Sequence, residues 1–428
     1  MRNWCRLRSS VAFLLSMLCG FAAVSYASAQ PSKAPVPAAD ALTACLAAMA
    51  PGTWRDAAKC VDTAPTLWSV AYGNVKRPPP PLTYSAATAA HIFAVSGPDG
   101  IMSIWSGGTW DSDDRMLVVG NAGNHQGYWG DELYAFRAST LSWIRLNDPS
   151  DTTGYICGDM LMPNGNPANM HTYGNLAYDS ATNSVIQAQM AWLDLRSCRH
   201  ENPPYSGPYY GNSAAVTAFN MKTRKWSIIG DYSQSTYMHQ GGGCLSPDLI
   251  VGLDETTRRL YYTISDSHCN AAYWDLGTKT MNMAAGGGHN SDYHMAGGAI
   301  RPGVQMVNMG RMGGLNVLDF SSGMTRPHAT GDLTCQNYEG PQGQQAGGIQ
   351  WDAAAKKYVA MAPGTSTVCL LDPSNWNWTA VTMGGDVPSL ECPGCNGVFG
   401  RFVYDPQDDC LLYVGGVREH VFIGKKSW

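Results

Sequence analysis

A chain of 428 residues that is only 14% charged yet holds 47 glycines, 14 tryptophans and 21 tyrosines suits many short strands joined by tight turns, and long helices are not expected in its main body. The formal net charge of −5 becomes −8 once the three arginines of residues 1–29 are set aside, leaving 25 basic against 33 acidic residues. That balance argues against nucleic acid as a partner. No stretch beyond residue 30 reaches the roughly 20 apolar residues that span a bilayer, so membrane insertion is not expected either.

The chain opens with Arg2, Arg6 and Arg8, an apolar run from Val11 to Val24, and the small residues Ala27-Ser28-Ala29. This order reads as a secretory signal over residues 1–29 and implies a secreted or periplasmic protein. Cys5 and Cys19 would leave with it, so eleven of the thirteen cysteines meet an oxidising compartment. Proximity favours Cys45 with Cys60, Cys157 with Cys198, Cys244 with Cys269, Cys335 with Cys369, and Cys392 with Cys395, leaving Cys410 odd. Cys392-Pro-Gly-Cys395 reads as a small structural loop rather than a redox pair.

Residues 30–81 read as a Pro-rich linker with a small helical segment. Leu42, Cys45, Leu46 and Met49 fall at helical spacing, Pro51-Gly52 breaks the run, and Thr53 with Asp56 three residues on reads as the cap of a second short helix. Pro78 to Pro81 then forms a stiff spacer, and the main domain is expected over residues 82–428.

From there the sequence repeats. Trp110-Asp111, Tyr178-Asp179, Leu253-Asp254, Trp351-Asp352 and Tyr404-Asp405 each place a large apolar residue before an aspartate. Six positions past each aspartate lie Leu117, Val185, Leu260, Tyr358 and Leu411, every one inside a β-rich run. The reading is a hairpin whose first strand (a) ends at the large apolar residue, after which the aspartate opens the turn by bonding its own backbone and strand b begins six residues later. A unit around Arg301-Pro302-Gly303 shortens that turn and keeps a strand from Val304 to Val307. Strand c ends at Phe136-Arg137, Phe219-Asn220, Trp274-Asp275, Leu318-Asp319 and Leu371-Asp372, and six residues on Trp143, Trp226, Met281, Thr325 and Trp378 mark strand d. The expected fold is all-β, a six-bladed β-propeller of four-stranded blades, with seven blades possible. The last unit stops after strand c at Phe422-Ile423, so an N-terminal strand must complete it, expected within Leu67 to Ala71 or Ala90 to Val95.

The first unit resembles a kelch repeat of the galactose-oxidase-like propeller superfamily. The residues that carry the likeness are Trp105-Ser-Gly-Gly-Thr-Trp-Asp111, Leu117-Val-Val-Gly120, Gly123-Asn-His125, Tyr128-Trp-Gly-Asp-Glu-Leu-Tyr-Ala-Phe136 and Thr140-Leu-Ser-Trp143. The glycines that close strand b in the family are reduced to Gly120 here and kept as Gly415-Gly416 in the last unit. The resemblance implies a propeller more than an activity, since such folds serve as enzymes and as binding platforms.

In such a propeller strand a lines the axis, and its start shares one end with the turns that join strands b and c. His171, His239 and His294 stand at the starts of three successive a strands, each three residues before a glycine. His125, His200, His268 and His420 fall in b-to-c connections and His289 approaches the fourth a strand; His91 and His328 do not share that end. Three imidazoles would suffice for zinc or copper with a position left open. Proton transfer without a metal, or plain polar residues at a wet loop edge, remain open beside that reading.

Tyr237, Tyr293 and Tyr173 accompany those histidines. Tyr293-His294 resembles one fragment of the copper site of galactose oxidase, although that family draws a further ligand from a domain beyond its propeller, and none is read here. The same residues suit β-elimination on a uronic-acid polysaccharide, with Tyr237 or Tyr293 as base and His171, His239 and Arg311 neutralising the carboxylate. The insertion from Trp192 to Gly211 brings Arg199, His200, Tyr205 and Tyr209, and the b-to-c connections add Tyr128, Trp129, His125 and His268, as candidate contacts for sugar rings. The functional expectation is a secreted propeller that binds an extracellular polysaccharide or other glycan on this end. The alternative is a carbohydrate-active enzyme, a uronic-acid lyase ahead of a copper radical oxidase.

Overall fold

The large residue before each anchoring aspartate is paired across its hairpin with the residue six positions beyond: Trp110 with Leu117, Tyr178 with Val185, Leu253 with Leu260, Trp351 with Tyr358 and Tyr404 with Leu411. Each aspartate then accepts from its own turn, as Asp111 does from the N–H groups of Asp113 and Asp114, both at 3.0 Å. The computed structural model describes residues 40–61, 64–70, 100–103, 106–121, 130–150, 161–162, 164–170, 172–190, 214–231, 250–263, 271–285, 297–309, 314–336, 347–361, 364–390 and 397–428.

The described chain begins with helix α1 (Ala41–Ala47) and strand β1 (Thr53–Asp56). Blade 1 comprises β2 (Gly108–Asp111), β3 (Met116–Gly120), β4 (Leu133–Arg137) and β5 (Ser142–Arg145). Blade 2 comprises β6 (Leu176–Asp179), β7 (Ser184–Met190), β8 (Ala214–Asn220) and β9 (Lys225–Asp231), and blade 3 β10 (Ile250–Asp254), β11 (Arg259–Thr263), β12 (Ala272–Asp275) and β13 (Thr280–Met283). Blade 4 holds β14 (Gly297–Arg301), β15 (Gln305–Met309), β16 (Leu315–Asp319) and β17 (Gly323–Thr325). After the short β18 (Thr330–Gly331), blade 5 holds β19 (Gly348–Asp352), β20 (Lys357–Met361), β21 (Thr367–Asp372) and β22 (Asn377–Thr382). Past β23 (Gly384–Gly385), blade 6 holds β24 (Phe402–Asp405), β25 (Cys410–Tyr413) and β26 (Phe422–Lys425).

Every blade is an antiparallel meander, and its inner strand touches the inner strand of each neighbour, giving the closed circuit β2, β6, β10, β14, β19, β24 and back to β2. Six blades therefore close the ring. The core is divided into wedges between adjacent blades, because alternate side chains of one strand point to opposite neighbours. Met116 and Val118 of β3 pack with Leu176 and Val185 of blade 2, whereas Leu117 and Val119 pack with Val403 and Leu412 of blade 6. This two-sided burial makes β3 continuously apolar rather than alternating.

Blade 6 is completed by β1, antiparallel to β26 from Thr53 opposite Lys425 to Asp56 opposite Phe422. The closing strand thus lies upstream of both stretches expected to supply it, inside the segment read as a helical preface. Asp56 does cap a helical turn, accepting from Ala58 N at 2.8 Å, but that turn is the 3-10 stretch Ala57–Lys59 following the strand. Thr53 to Asp56 is extended because β26 offers it an open sheet edge, and Trp54 fills the wedge against blade 5. In blade 4 the turn after strand c is one residue shorter than the count implied, so Met324, not Thr325, stands opposite Leu318. Strand b of that blade likewise begins at Gln305, with Val304 left in the turn.

The first expected helix is present as α1, capped by Asp40 through Thr43 N at 2.8 Å. Leu42, Cys45 and Leu46 pack into the wedge between blades 6 and 1. The Lys425 ammonium donates to the carbonyls of Leu46 at 2.8 Å and Met49 at 2.9 Å, satisfying acceptors left over where the helix ends. Two expected disulfides are formed, Cys45–Cys60 and Cys335–Cys369, with Cα separations of 5.3 and 5.6 Å. Cys410 is a buried free thiol, and burial pushes its pKa well up. Residues 1–29 and Cys157, Cys198, Cys244, Cys269, Cys392 and Cys395 lie outside the described residues. No helix among the described residues is long and apolar enough to cross a membrane.

Candidate functional site

An antiparallel meander sends its a-to-b and c-to-d turns to one end of the sheet and its b-to-c and d-to-a connections to the other. The first end is built of short hairpins, and at every junction between blades it carries a side-chain lock. Arg115 of blade 1 reaches Asp405 of blade 6 at 3.4 Å and also pairs with Asp40 and Asp408. Tyr178 of blade 2 donates to Asp113 of blade 1 at 2.9 Å, and Arg258 of blade 3 grips both oxygens of Asp179 in blade 2. Gly303 N of blade 4 donates to Asp254 of blade 3 at 3.0 Å. The guanidinium of Arg301 in blade 4 lies 5.2 Å from the ring centre of Trp351 in blade 5, and Asp352 of blade 5 takes Lys426 and the Trp428 indole from blade 6. These groups are committed to closure.

The other end, here the connection end, is where the candidate residues were expected. His171, His239, His294, Tyr237, Tyr293 and Arg311 lie outside the described residues, as do His125, Tyr128, Trp129, Arg199, His200, Tyr205, Tyr209 and His268. Two histidines are described. His420 stands in the b-to-c connection of blade 6, where its Nδ1 is 3.1 Å from Asp56 Oδ2. That contact ties the connection to the closing strand. His328 is exposed in the segment leaving blade 4. Among the described residues no group of three or more His, Cys, Asp or Glu side chains is placed to hold a metal ion.

The described framework at the connection end is polar and buried. Asn121, which follows strand b of blade 1 and lies in the left-handed region at φ 47°, donates through its side-chain amide to Gln187 of blade 2 at 2.7 Å. Its carbonyl accepts from Met170 N at 3.3 Å, Asn169 donates to the Gly130 carbonyl at 2.6 Å, and the Thr172 hydroxyl accepts from Gly107 N at 3.0 Å. The residues flanking position 171 are thereby held against blade 1 from both sides. Asp131, buried, accepts from Ser150 N at 2.6 Å and from the Asn166 amide at 3.1 Å, fixing the loop that leads there.

Two ionisable groups at this end were not singled out in the sequence. Glu132 is almost fully buried, and burial pushes its carboxyl up to about 7 despite the Tyr134 hydroxyl that donates to it at 3.1 Å. It is an acid that changes charge near neutrality, a property suited to proton transfer. Arg401 is fully buried between blades 6 and 1 and donates to the carbonyls of Ser106 at 3.0 Å, Val414 at 3.1 Å and Gly397 at 2.6 Å. The signal for Glu132 was present in Trp-Gly-Asp-Glu-Leu-Tyr, which places two acids where a buried strand begins. Nothing local marks Arg401.

No protein-family model and no curated protein matches the chain. The likeness to kelch repeats therefore stands on the motif residues alone. Among solved structures, a gluconolactonase from Xanthomonas campestris is similar over 79% of this chain and 92% of its own, at 14% identity and a TM-score of 0.44. A protein of unknown function from Bacteroides thetaiotaomicron is similar over 75% and 69%, at 11% identity and a TM-score of 0.41. Likeness at this level bears on neither substrate nor chemistry.

Proposed function

We propose that this is a secreted propeller that binds an extracellular carbohydrate at its connection end, with His171, His239 and His294 in the binding surface and the Trp192 to Gly211 insertion stacking aromatic rings on the sugar. The observation that supports this reading most is the pinning of residues 169, 170 and 172 to Gly130, Asn121 and Gly107. Bonds of this kind order residues 169, 170 and 172 in advance, and preorganisation of that sort lowers the entropic cost of recognition. At the opposite end Arg115, Asp179, Arg258, Asp352 and Lys426 are spent on joining blades.

Calorimetric titration of the mature protein against a panel of neutral and acidic polysaccharides tests this. Binding to at least one member is expected, weakened by roughly tenfold or more in His239→Ala and in His294→Ala with unchanged thermal unfolding. Metal content measured on the same samples separates imidazoles that ligate an ion from imidazoles that touch sugar. Binding that both variants leave intact would end the reading.

A further inference from the structure

The inner strands enclose an axial cavity of about 340 Å³. Its shape follows from glycines at the strand starts. A Cβ on Gly400 would lie 1.8 Å from the Gly108 carbonyl oxygen, one on Gly107 1.6 Å from that of Tyr173, and one on Gly297 2.7 Å from that of Gly347. Val251 N donates to the Gly174 carbonyl at 2.8 Å. Neighbouring backbones therefore converge at the connection end, where only glycine lets them approach so closely. Toward the hairpin end the strands carry large residues at one register: Trp110, Tyr178, Leu253, Ile300, Trp351 and Tyr404. Beyond them the lining ends in Pro302, Ala353 and Pro406, which sit on the turns of blades 4, 5 and 6 and are exposed. The cavity opens on the hairpin end.

Its chemistry is restricted. No charged side chain is among the described residues that line it; the aspartates that follow five of the six large residues are turned back into their own hairpins, as with Asp179 on Ala181 N at 3.1 Å and Asp352 on Ala355 N at 3.0 Å. An ionic ligand would find no counter-charge there. A hydrocarbon fits no better. Each inner strand is the terminal strand of its sheet, so main-chain donors and acceptors lie along the axis wherever they are not taken up by the next blade, as Val251 N is by the Gly174 carbonyl, and an apolar molecule would offer them no hydrogen bond. A neutral ring bearing several hydroxyls answers both demands, since hydroxyls donate and accept while ring C–H faces lie on indole and phenol rings. The volume sits at the small end of the roughly 300 to 1,000 Å³ typical of ligand sites, which fits one ring and not a chain.

We propose that the axial cavity is a second binding site, entered from the hairpin end, for a single neutral pyranose or a cyclic polyol of that size. It is independent of the polysaccharide surface proposed at the opposite end. Glucose, galactose and mannose, each titrated separately by ligand-observed NMR, are the probes. Saturable binding of at least one is expected, roughly millimolar for a ligand of about a dozen heavy atoms. Ala353→Trp, at an exposed position on the mouth, should weaken it by about tenfold or more with thermal unfolding unchanged, and Pro406→Trp should do the same from the neighbouring blade. His239→Ala should leave it untouched. The proposal is overturned if none of the three sugars binds, if toluene binds and the sugars do not, or if binding survives both mouth variants. Loss in His239→Ala alone would also overturn it while favouring the site at the connection end.

Discussion

The two ends of the sheets are joined by different means. At the hairpin end adjacent blades meet through side chains, such as the Arg258 guanidinium on Asp179 or Lys426 on Asp352. At the connection end side-chain bonds such as Asn121 to Gln187 are accompanied by close backbone approaches, Gly400 on Gly108 and Gly107 on Tyr173. A side-chain lock can be lost one group at a time. A backbone contact admits no added atom, so the narrow end of the ring should tolerate substitution far less than the wide end.

The largest effect should follow Gly400→Ala. The new methyl would stand 1.8 Å from the Gly108 oxygen, and neither partner is a flexible side chain that can turn away. A loss above about 4 kcal/mol, or failure to fold, is expected in urea unfolding. Near-normal stability would show that the inner strands are less tightly convergent than their glycines imply, and would also widen the axial cavity at that end.

Arg258→Ala tests the other end and should cost less, about 2 to 4 kcal/mol near neutral pH, because it strands Asp179 without its partner while leaving the backbone alone. Burial pushes the Asp179 carboxyl up, but Arg258 and the Thr182 hydroxyl outweigh it and hold it below its ordinary value. The ionised carboxylate is therefore favoured by folding, and the stability it confers is present above the unfolded value of about 4 and lost as pH falls below it. The gap between native protein and Arg258→Ala should accordingly narrow in acid. A gap independent of pH would mean that packing of the arginine stem, and not the ion pair, joins blades 2 and 3.

The contrast between ends also explains what could be read in advance. The aspartate anchors were legible because each signature is local: Asp179 bonds Ala181 N and the Thr182 hydroxyl within its own turn. Counting six residues from an anchor then gave true cross-strand partners such as Leu253 and Leu260. The strand Thr53–Asp56 was not legible, since its conformation depends on β26, more than 360 residues away, and its Thr-x-x-Asp spacing mimics a helix cap. The pinch at Gly107, Gly297 and Gly400 was hidden for the same reason, because each glycine answers to a backbone in the next blade. At the candidate site, the placement of His420 in the last b-to-c connection could be counted from the repeat, but its bond to Asp56 could not. Glu132 escaped because its near-neutral carboxyl is a product of burial, which no spacing reveals.

The smallest effect belongs to a position repeated around the hairpin end. The last residue of five of the six a-to-b turns is left-handed, Arg115, Asn183, Arg258, Lys356 and Asp409 with φ between 47° and 59°, and in blade 4 the left-handed residue is Gly303, one before the last. A side chain there costs about 1 kcal/mol in backbone strain. Arg115 and Arg258 offset it with inter-blade ion pairs. Asp409 accepts from the Tyr404 hydroxyl at 2.7 Å, and Asn183, at 3.1 Å, shares with Asp113 the one proton of the Tyr178 hydroxyl. Lys356 is exposed and carries no such lock among the described residues. Lys356→Gly should therefore raise stability slightly, by about 0.5 kcal/mol after the entropy of the unfolded glycine is subtracted, whereas Arg258→Gly at the same register should lower it. Paired thermal unfolding of the two variants measures the difference. If both fall by similar amounts, the left-handed turn itself, and not the locks it carries, is what the wide end of the ring depends on.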